Sequence, residues 1–146
     1  RLIPDGAGAQ LMRQRRVDIV ITGTDRVAAN GDTANKIGTY SHALAARTNG
    51  VPFYIAAPLT TFDVDTPDGE SIPIEERSQD EVVFVEGLND EGRIQRVTVT
   101  PKETQAINPA FDITPAALIT GFITEVGIVP ATPDGIAYAL RRLRPM

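Results

Sequence analysis

The sequence predicts a doubly wound α/β domain with a mostly parallel sheet, and three observations carry that reading. Residues 17–22 and 51–57 are almost continuously apolar and β-branched, the pattern of parallel strands covered on both faces. Between them, Ile37, Tyr40, Leu44 and Ala45 recur at helical spacing. The polar stretch 23–34 joins the first strand to that helix. In a right-handed βαβ unit it falls at the carboxyl ends of the strands, where open α/β sheets bind ligands.

Taken in order, residues 5–16 form a short helix ending in Arg13, Arg15 and Arg16, and 17–22 the first strand, stopped by Gly23. The helix opening at Asn35 closes at Asn49-Gly50, a left-handed C-terminal stop. Pro52 is tolerated at the start of the next strand. Residues 58–78 are rich in Pro, Asp, Thr and Ser, with turns at Thr66-Pro67-Asp68-Gly69 and Ser71-Ile72-Pro73. So long a connection inside a compact domain is expected to be a functional loop. Residues 81–85 and 96–100 read as strands around an exposed turn at Asn89-Asp90-Glu91-Gly92. Thr114 and Pro115 then suit an N-cap and first helical position, opening a helix through Leu118 and Phe122 to Gly127. Residues 128–130 are a last short strand, and 134–144 a terminal helix with its basic residues in the final turn.

The 146 residues suit one domain, spanning 1–146. Composition narrows the function. Fourteen Lys and Arg against nineteen Asp and Glu give a net charge of −5, without the basic footprint that nucleic acid or anionic lipid requires. No apolar run reaches the roughly 20 residues of a membrane span. Cysteine is absent, which removes disulfides, thiolate metal sites and a cysteine nucleophile from the chain. The start, Arg1-Leu2-Ile3-Pro4-Asp5-Gly6, has neither an initiator Met nor the layout of a signal peptide, so the chain reads as processed or as the later part of a longer polypeptide, and the cytosol is the expected compartment.

The densest polar constellation is Thr22-Gly23-Thr24-Asp25-Arg26 followed by Asn30-Gly31-Asp32-Thr33-Ala34-Asn35-Lys36-Ile37-Gly38-Thr39-Tyr40. Asp25 is placed just beyond a strand end, with Asn35, Lys36 and the first amides of the next helix facing the same crevice. Helix-start amides and an ammonium suit a phosphate, and a nearby carboxylate can move protons. A sugar phosphate follows as the ligand class. The competing reading is structural: Asp25 and Asp32 cap or turn the loop, and Lys36 is a solvated helix residue. The glycine spacing fits neither the Walker nor the dinucleotide pattern.

The run 23–40 resembles the methylthioribose-1-phosphate isomerase family of methionine salvage. The resemblance continues through Val51-Pro52-Phe53-Tyr54-Ile55-Ala56-Ala57-Pro58, Thr61-Phe62-Asp63, Ile72-Pro73-Ile74-Glu75-Glu76-Arg77 and Asn108-Pro109-Ala110-Phe111-Asp112-Ile113-Thr114-Pro115. Ribose-1,5-bisphosphate isomerases and regulatory subunits of the translation-initiation exchange factor share the Asn-Lys-Ile-Gly-Thr core. The approach Gly31-Asp32-Thr33-Ala34 and the run Pro73-Ile74-Glu75-Glu76-Arg77 favour the methylthioribose branch.

The resemblance implies the Rossmann-like C-terminal domain of a larger, cytoplasmic, homodimeric aldose–ketose isomerase that uses no metal and no redox cofactor. Asp25 matches the family's catalytic aspartate, and Asn35 and Lys36 match substrate-binding positions, Lys36 near the phosphate. The family's cysteine and the rest of its pocket lie upstream of Arg1, so this chain is expected to be inactive without that half. Thr24 stands where the family usually has Ala, and its hydroxyl is placed to bond Asp25. Glu75, Glu76 and Arg77 are expected to order the long loop, Asp112 to bond near Thr114, and His42 to be a packed or exposed helix residue. The competing functional classes are a regulatory module like the exchange-factor subunits and a sugar-phosphate-binding paralogue.

Overall fold

The computed structural model describes residues 1–143. In chain order the elements are α1 (Ala7–Arg13), β1 (Val20–Thr22), β2 (Arg26–Ala28), β3 (Thr33–Lys36), α2 (Thr39–Asn49), β4 (Phe53–Ala56) and β5 (Phe62–Asp63). Then come α3 (Asp80–Val83), β6 (Phe84–Leu88), β7 (Ile94–Thr98), β8 (Phe111–Thr114), β9 (Gly121–Thr124), β10 (Gly127–Val129) and α4 (Pro133–Leu143). Arg144, the end of the expected terminal helix, lies outside the described residues. Two compact units emerge: Arg1–Pro73 together with the chain from Phe111 onward, and Ile74–Ala110.

The first unit is a Rossmann-like α/β fold with two four-stranded sheets. One sheet runs β1-β4-β9-β10, and its first three strands are parallel, with Val20 beside Phe53 and Tyr54 beside Gly121. The β1–α2–β4 crossover expected from the sequence is therefore present. Phe53, Ile55 and Phe122 are fully buried, with Ala43 and Ala46 of α2 and Ile136 and Ala139 of α4 in the same core. Small residues on the helices allow the close approach that the bulky strand residues fill. Phe62 meets Phe122 edge to face at 5.1 Å. The expectation that 17–22 is covered on both faces does not hold: β1 is a sheet edge, and Ile19 and Ile21 remain about half exposed, at 47% and 52%.

The second sheet runs β5-β2-β3-β8. It replaces the expected polar loop 23–34 with a β2–β3 hairpin, which turns at Asn30-Gly31 with Gly31 at φ 94. The hairpin was hidden because, besides Val27, the buried residues of its strands are the small Ala28, Thr33 and Ala34, the alanines packed with Ile72 and Ile113, in place of a bulky alternation. Asn35 and Lys36 consequently end a strand, and α2 begins only at Thr39.

The expected helix 114–127 is also corrected. Phe111–Thr114 is a strand, Ala116–Leu118 a 3-10 turn, and Gly121–Thr124 a strand between β4 and β10. Ile119, Thr120, Ile123 and Thr124 are β-branched, and Gly121 sits where a Cβ would lie 3.0 Å from the Val129 carbonyl oxygen, both features of a strand interior. The long connection 58–73 is ordered by buried Leu59, the 3-10 turns Leu59–Thr61 and Gly69–Ser71, and β5.

The second unit is built on the β6–β7 antiparallel hairpin, in which Val85 faces Val97 and Glu86 faces Arg96. The predicted strand 81–85 is in its first part the single helical turn α3. Arg96 stacks on Phe84 at 3.9 Å and pairs with Asp80 at 2.8 Å. At the base of the unit, the Arg77 amide donates to the Asn108 carbonyl, the Ala110 amide to the Glu75 carbonyl, and the Asn108 amide to the Glu76 carboxylate.

Candidate functional site

At the carboxyl end of β1 the chain leaves the first sheet through Gly23 and Thr24 and enters the second at β2, so Asp25 stands at the junction. Its amide donates to the Ala34 carbonyl at 2.9 Å, tying it to β3 immediately before Asn35. The Asp25 carboxylate is exposed. Thr24 does not bond it. The Thr24 hydroxyl instead approaches two carbonyls, Ala34 at 2.7 Å and Arg26 at 2.9 Å, and so fixes the backbone on either side of Asp25. Arg26, next in the chain, pairs with Asp63 of β5 at 3.3 Å. Hydrogen bonding from Thr66, with further help from the Asp65 amide and Arg26, holds the Asp63 carboxyl below the ordinary carboxylate range.

Asn35 and Lys36 close β3. The Asn35 amide group donates to the Thr39 hydroxyl at 2.8 Å, and that hydroxyl donates to the Lys36 carbonyl at 2.7 Å. The Lys36 ammonium lies 5.4 Å from the Phe111 ring centroid. Beside it opens a crevice of about 620 Å³ whose walls include Ile21, Thr22, Lys36, Gly38, Thr39 and His42. The Thr22 hydroxyl in this wall is buried and has no hydrogen-bond partner. Lys36 is thus the one predicted site residue that lines the crevice; Asn35 precedes it on β3, and Asp25 is tied to the same strand through Ala34.

Two of the amides at the start of α2, where a phosphate was expected, are already engaged. Asp112, directly opposite Asn35 on β8, accepts the Gly38 amide at 2.6 Å and the Tyr40 amide at 3.0 Å. Its carboxylate therefore reaches α2 and not the Thr114 region. Nothing local in the sequence marks this role, because 74 residues separate Asp112 from Gly38. His42 packs behind the same turn: its Nδ1 lies 2.7 Å from the Gly38 carbonyl, which requires a proton on Nδ1, and a Cβ at Gly8 would approach the ring to 3.2 Å.

Asp32, read as a turn residue, does more. Its Oδ1 accepts the Ala116 amide, and its Oδ2 accepts the Gly69 amide and the Asn30 side chain. Burial alone would raise its pKa, but these three bonds more than offset it and keep the carboxyl ionised below the ordinary range. The hairpin that carries Asp25 and Asn35 is thereby fastened to both neighbouring 3-10 turns. Glu75, Glu76 and Arg77 lie in the second unit, where Arg77 also pairs with Glu81. Among the described residues, no group of three or more His, Cys, Asp or Glu is arranged to hold a metal ion, and no helix is long and apolar enough to cross a membrane.

The chain is similar to proteins of two kinds. It is 57% identical over 136 residues to the methylthioribose-1-phosphate isomerase of Rhizobium meliloti strain 1021, an alignment covering 92% of this chain and 37% of the relative. The crystal structure of 5-methylthioribose 1-phosphate isomerase from Pyrococcus horikoshii OT3 superposes with a TM-score of 0.83 at 43% identity, covering 99% of this chain and 38% of that one. The delta subunit of translation initiation factor eIF-2B from A. fulgidus superposes at 0.81 with 34% identity, over 96% and 38% of the two chains. This chain thus spans under two-fifths of the length of each of these three relatives. The pattern of the initiation factor 2 subunit family fits residues 1–131, and the chain belongs to that family.

Proposed function

We propose that this chain supplies half of the active site of an aldose–ketose isomerase converting 5-methylthioribose 1-phosphate to 5-methylthioribulose 1-phosphate. The observation that supports it is Lys36 in the wall of a crevice, with Asn35 next to it on β3 and Asp25 tied to that strand through Ala34, in a chain 57% identical to a relative named for that reaction. In this reading Lys36 holds the phosphate, Asn35 a neighbouring oxygen, and the exposed Asp25 carboxylate moves protons. The bond from C1 to the ring oxygen breaks and that oxygen takes up a proton, the hydrogen on C2 passes to C1, and the C2 hydroxyl gives up its proton as C2 becomes the carbonyl. Oxidation at C2 balances reduction at C1, and the ester stays in place. The remaining groups come from polypeptide outside this chain, and the assembled enzyme is a cytosolic homodimer.

The test grafts this chain into the Rhizobium meliloti isomerase in place of its matching segment. Isomerisation of 5-methylthioribose 1-phosphate is expected, falling about 10²–10⁴-fold with Asp25→Asn, the range for losing a general acid–base group. Unchanged turnover in that variant would remove Asp25 from its role. A second reading, a regulatory module, is favoured by the likeness to the A. fulgidus subunit. It predicts a grafted protein that folds and assembles without turnover.

A further inference from the structure

We propose that Asp112 is a positioning residue that sets the substrate-binding pair Asn35 and Lys36 by holding the turn between β3 and α2. The inference rests on the binding role proposed for Lys36. β3 ends at Lys36, and only Ile37 and Gly38 separate it from α2. Gly38 has φ 103, a backbone state that only glycine adopts without strain, and having no side chain it cannot cap the helix. The first amides of any helix lack intrahelical partners.

Asp112 meets that need from another strand, with one carboxylate oxygen on the Gly38 amide and the other on the Tyr40 amide. Both bonds are charge-assisted and sit at the positive end of α2. Register places Asp112 opposite Asn35 and Phe111 opposite Lys36. One β-strand dipeptide thus faces both binding residues, Phe111 meeting the ammonium of Lys36 and Asp112 the turn that follows it. The Asn35–Thr39–Lys36 hydrogen-bond chain closes the same turn from the other side. Asp112 also takes up two of the amides at the start of α2.

The experiment compares Asp112→Asn, Lys36→Ala and the double variant in the grafted isomerase, and examines Asp112→Asn in the full 146-residue chain by NMR. In the enzyme, Asp112→Asn is expected to raise KM for 5-methylthioribose 1-phosphate about tenfold, with kcat within roughly twofold. The double variant should be no worse than Lys36→Ala, the non-additivity of two residues acting through one contact. In the chain, the Gly38 and Tyr40 amides should exchange at least about tenfold faster, and the Lys36–Phe111 cross-peaks should vanish. Asp112→Ala, which keeps no acceptor, should raise KM at least as far as Asp112→Asn, which keeps one. A parent-like KM in Asp112→Asn beside a raised KM in Lys36→Ala, or fully additive effects, would overturn the inference. Should Lys36→Ala leave KM unchanged, the binding role of Lys36 fails, and the proposed control of its substrate-binding position falls with it. Surviving Lys36–Phe111 cross-peaks in Asp112→Asn overturn the positioning whatever the kinetics show.

Discussion

The two four-stranded sheets of the first unit are held by different forces. The sheet β1-β4-β9-β10 buries Phe53, Ile55 and Phe122 completely and meets helices faced with alanine. The sheet β5-β2-β3-β8 buries little but Val27, Ala28, Ala34 and two threonines, and is fastened by carboxylates: Asp32 to two 3-10 turns, Asp112 to α2, Asp63 to Arg26. Apolar area is roughly additive and indifferent to direction, whereas carboxylate bonds fix angles. A sheet that presents Asp25, Asn35 and Lys36 needs the second kind of adhesive, and it rests on the first for stability.

Substitutions at Phe122 and Asp32 test that contrast. Phe122→Ala removes the largest group at the centre of the apolar sheet and should cost about 3–5 kcal/mol in urea unfolding. A loss below about 1 kcal/mol would mean that the core lies elsewhere.

Asp32→Ala orphans the Gly69 and Ala116 amides, and a smaller cost of roughly 1–3 kcal/mol is expected. Because the folded Asp32 carboxyl is held below its ordinary 3.8, its contribution is complete above that value and disappears as pH falls through the folded pKa. The acid limb of stability against pH should therefore flatten in Asp32→Asn. An unaltered limb would show that the hairpin does not depend on this carboxylate.

In the second unit, Ile94→Thr on β7 should change stability by no more than about 0.5 kcal/mol, since Ile94 is 78% exposed. A larger loss would reveal packing on that ribbon in solution.

What the sequence disclosed, and what it concealed, follows the same division. The β1–α2–β4 crossover was legible because bulky β-branched runs flank a helical spacing with a glycine stop. The site cluster 22–40 was legible as chemistry but not as geometry. Apart from Val27 the strands of its hairpin bury only alanine and threonine, which carry almost no periodic signal, so Asn35 and Lys36 read as helix residues when they end a strand. Residues 114–127 misled for the opposite reason. Leu118 and Phe122 are four apart, a helical interval, yet they belong to a turn and a strand. The β-branched residues around Gly121 were the better guide. Asp112 could not be found locally at all, because its value lies in a cross-strand register.

Among the described residues β1 pairs with β4 alone and forms the rim of its sheet, next to two half-exposed isoleucines, Ile19 and Ile21. Such a rim is adhesive: it offers any extended peptide a ready template, its own copies included. Preparations of this chain should therefore tolerate dilution better than concentration, and a lysine introduced at position 19 is a direct way to keep them dispersed.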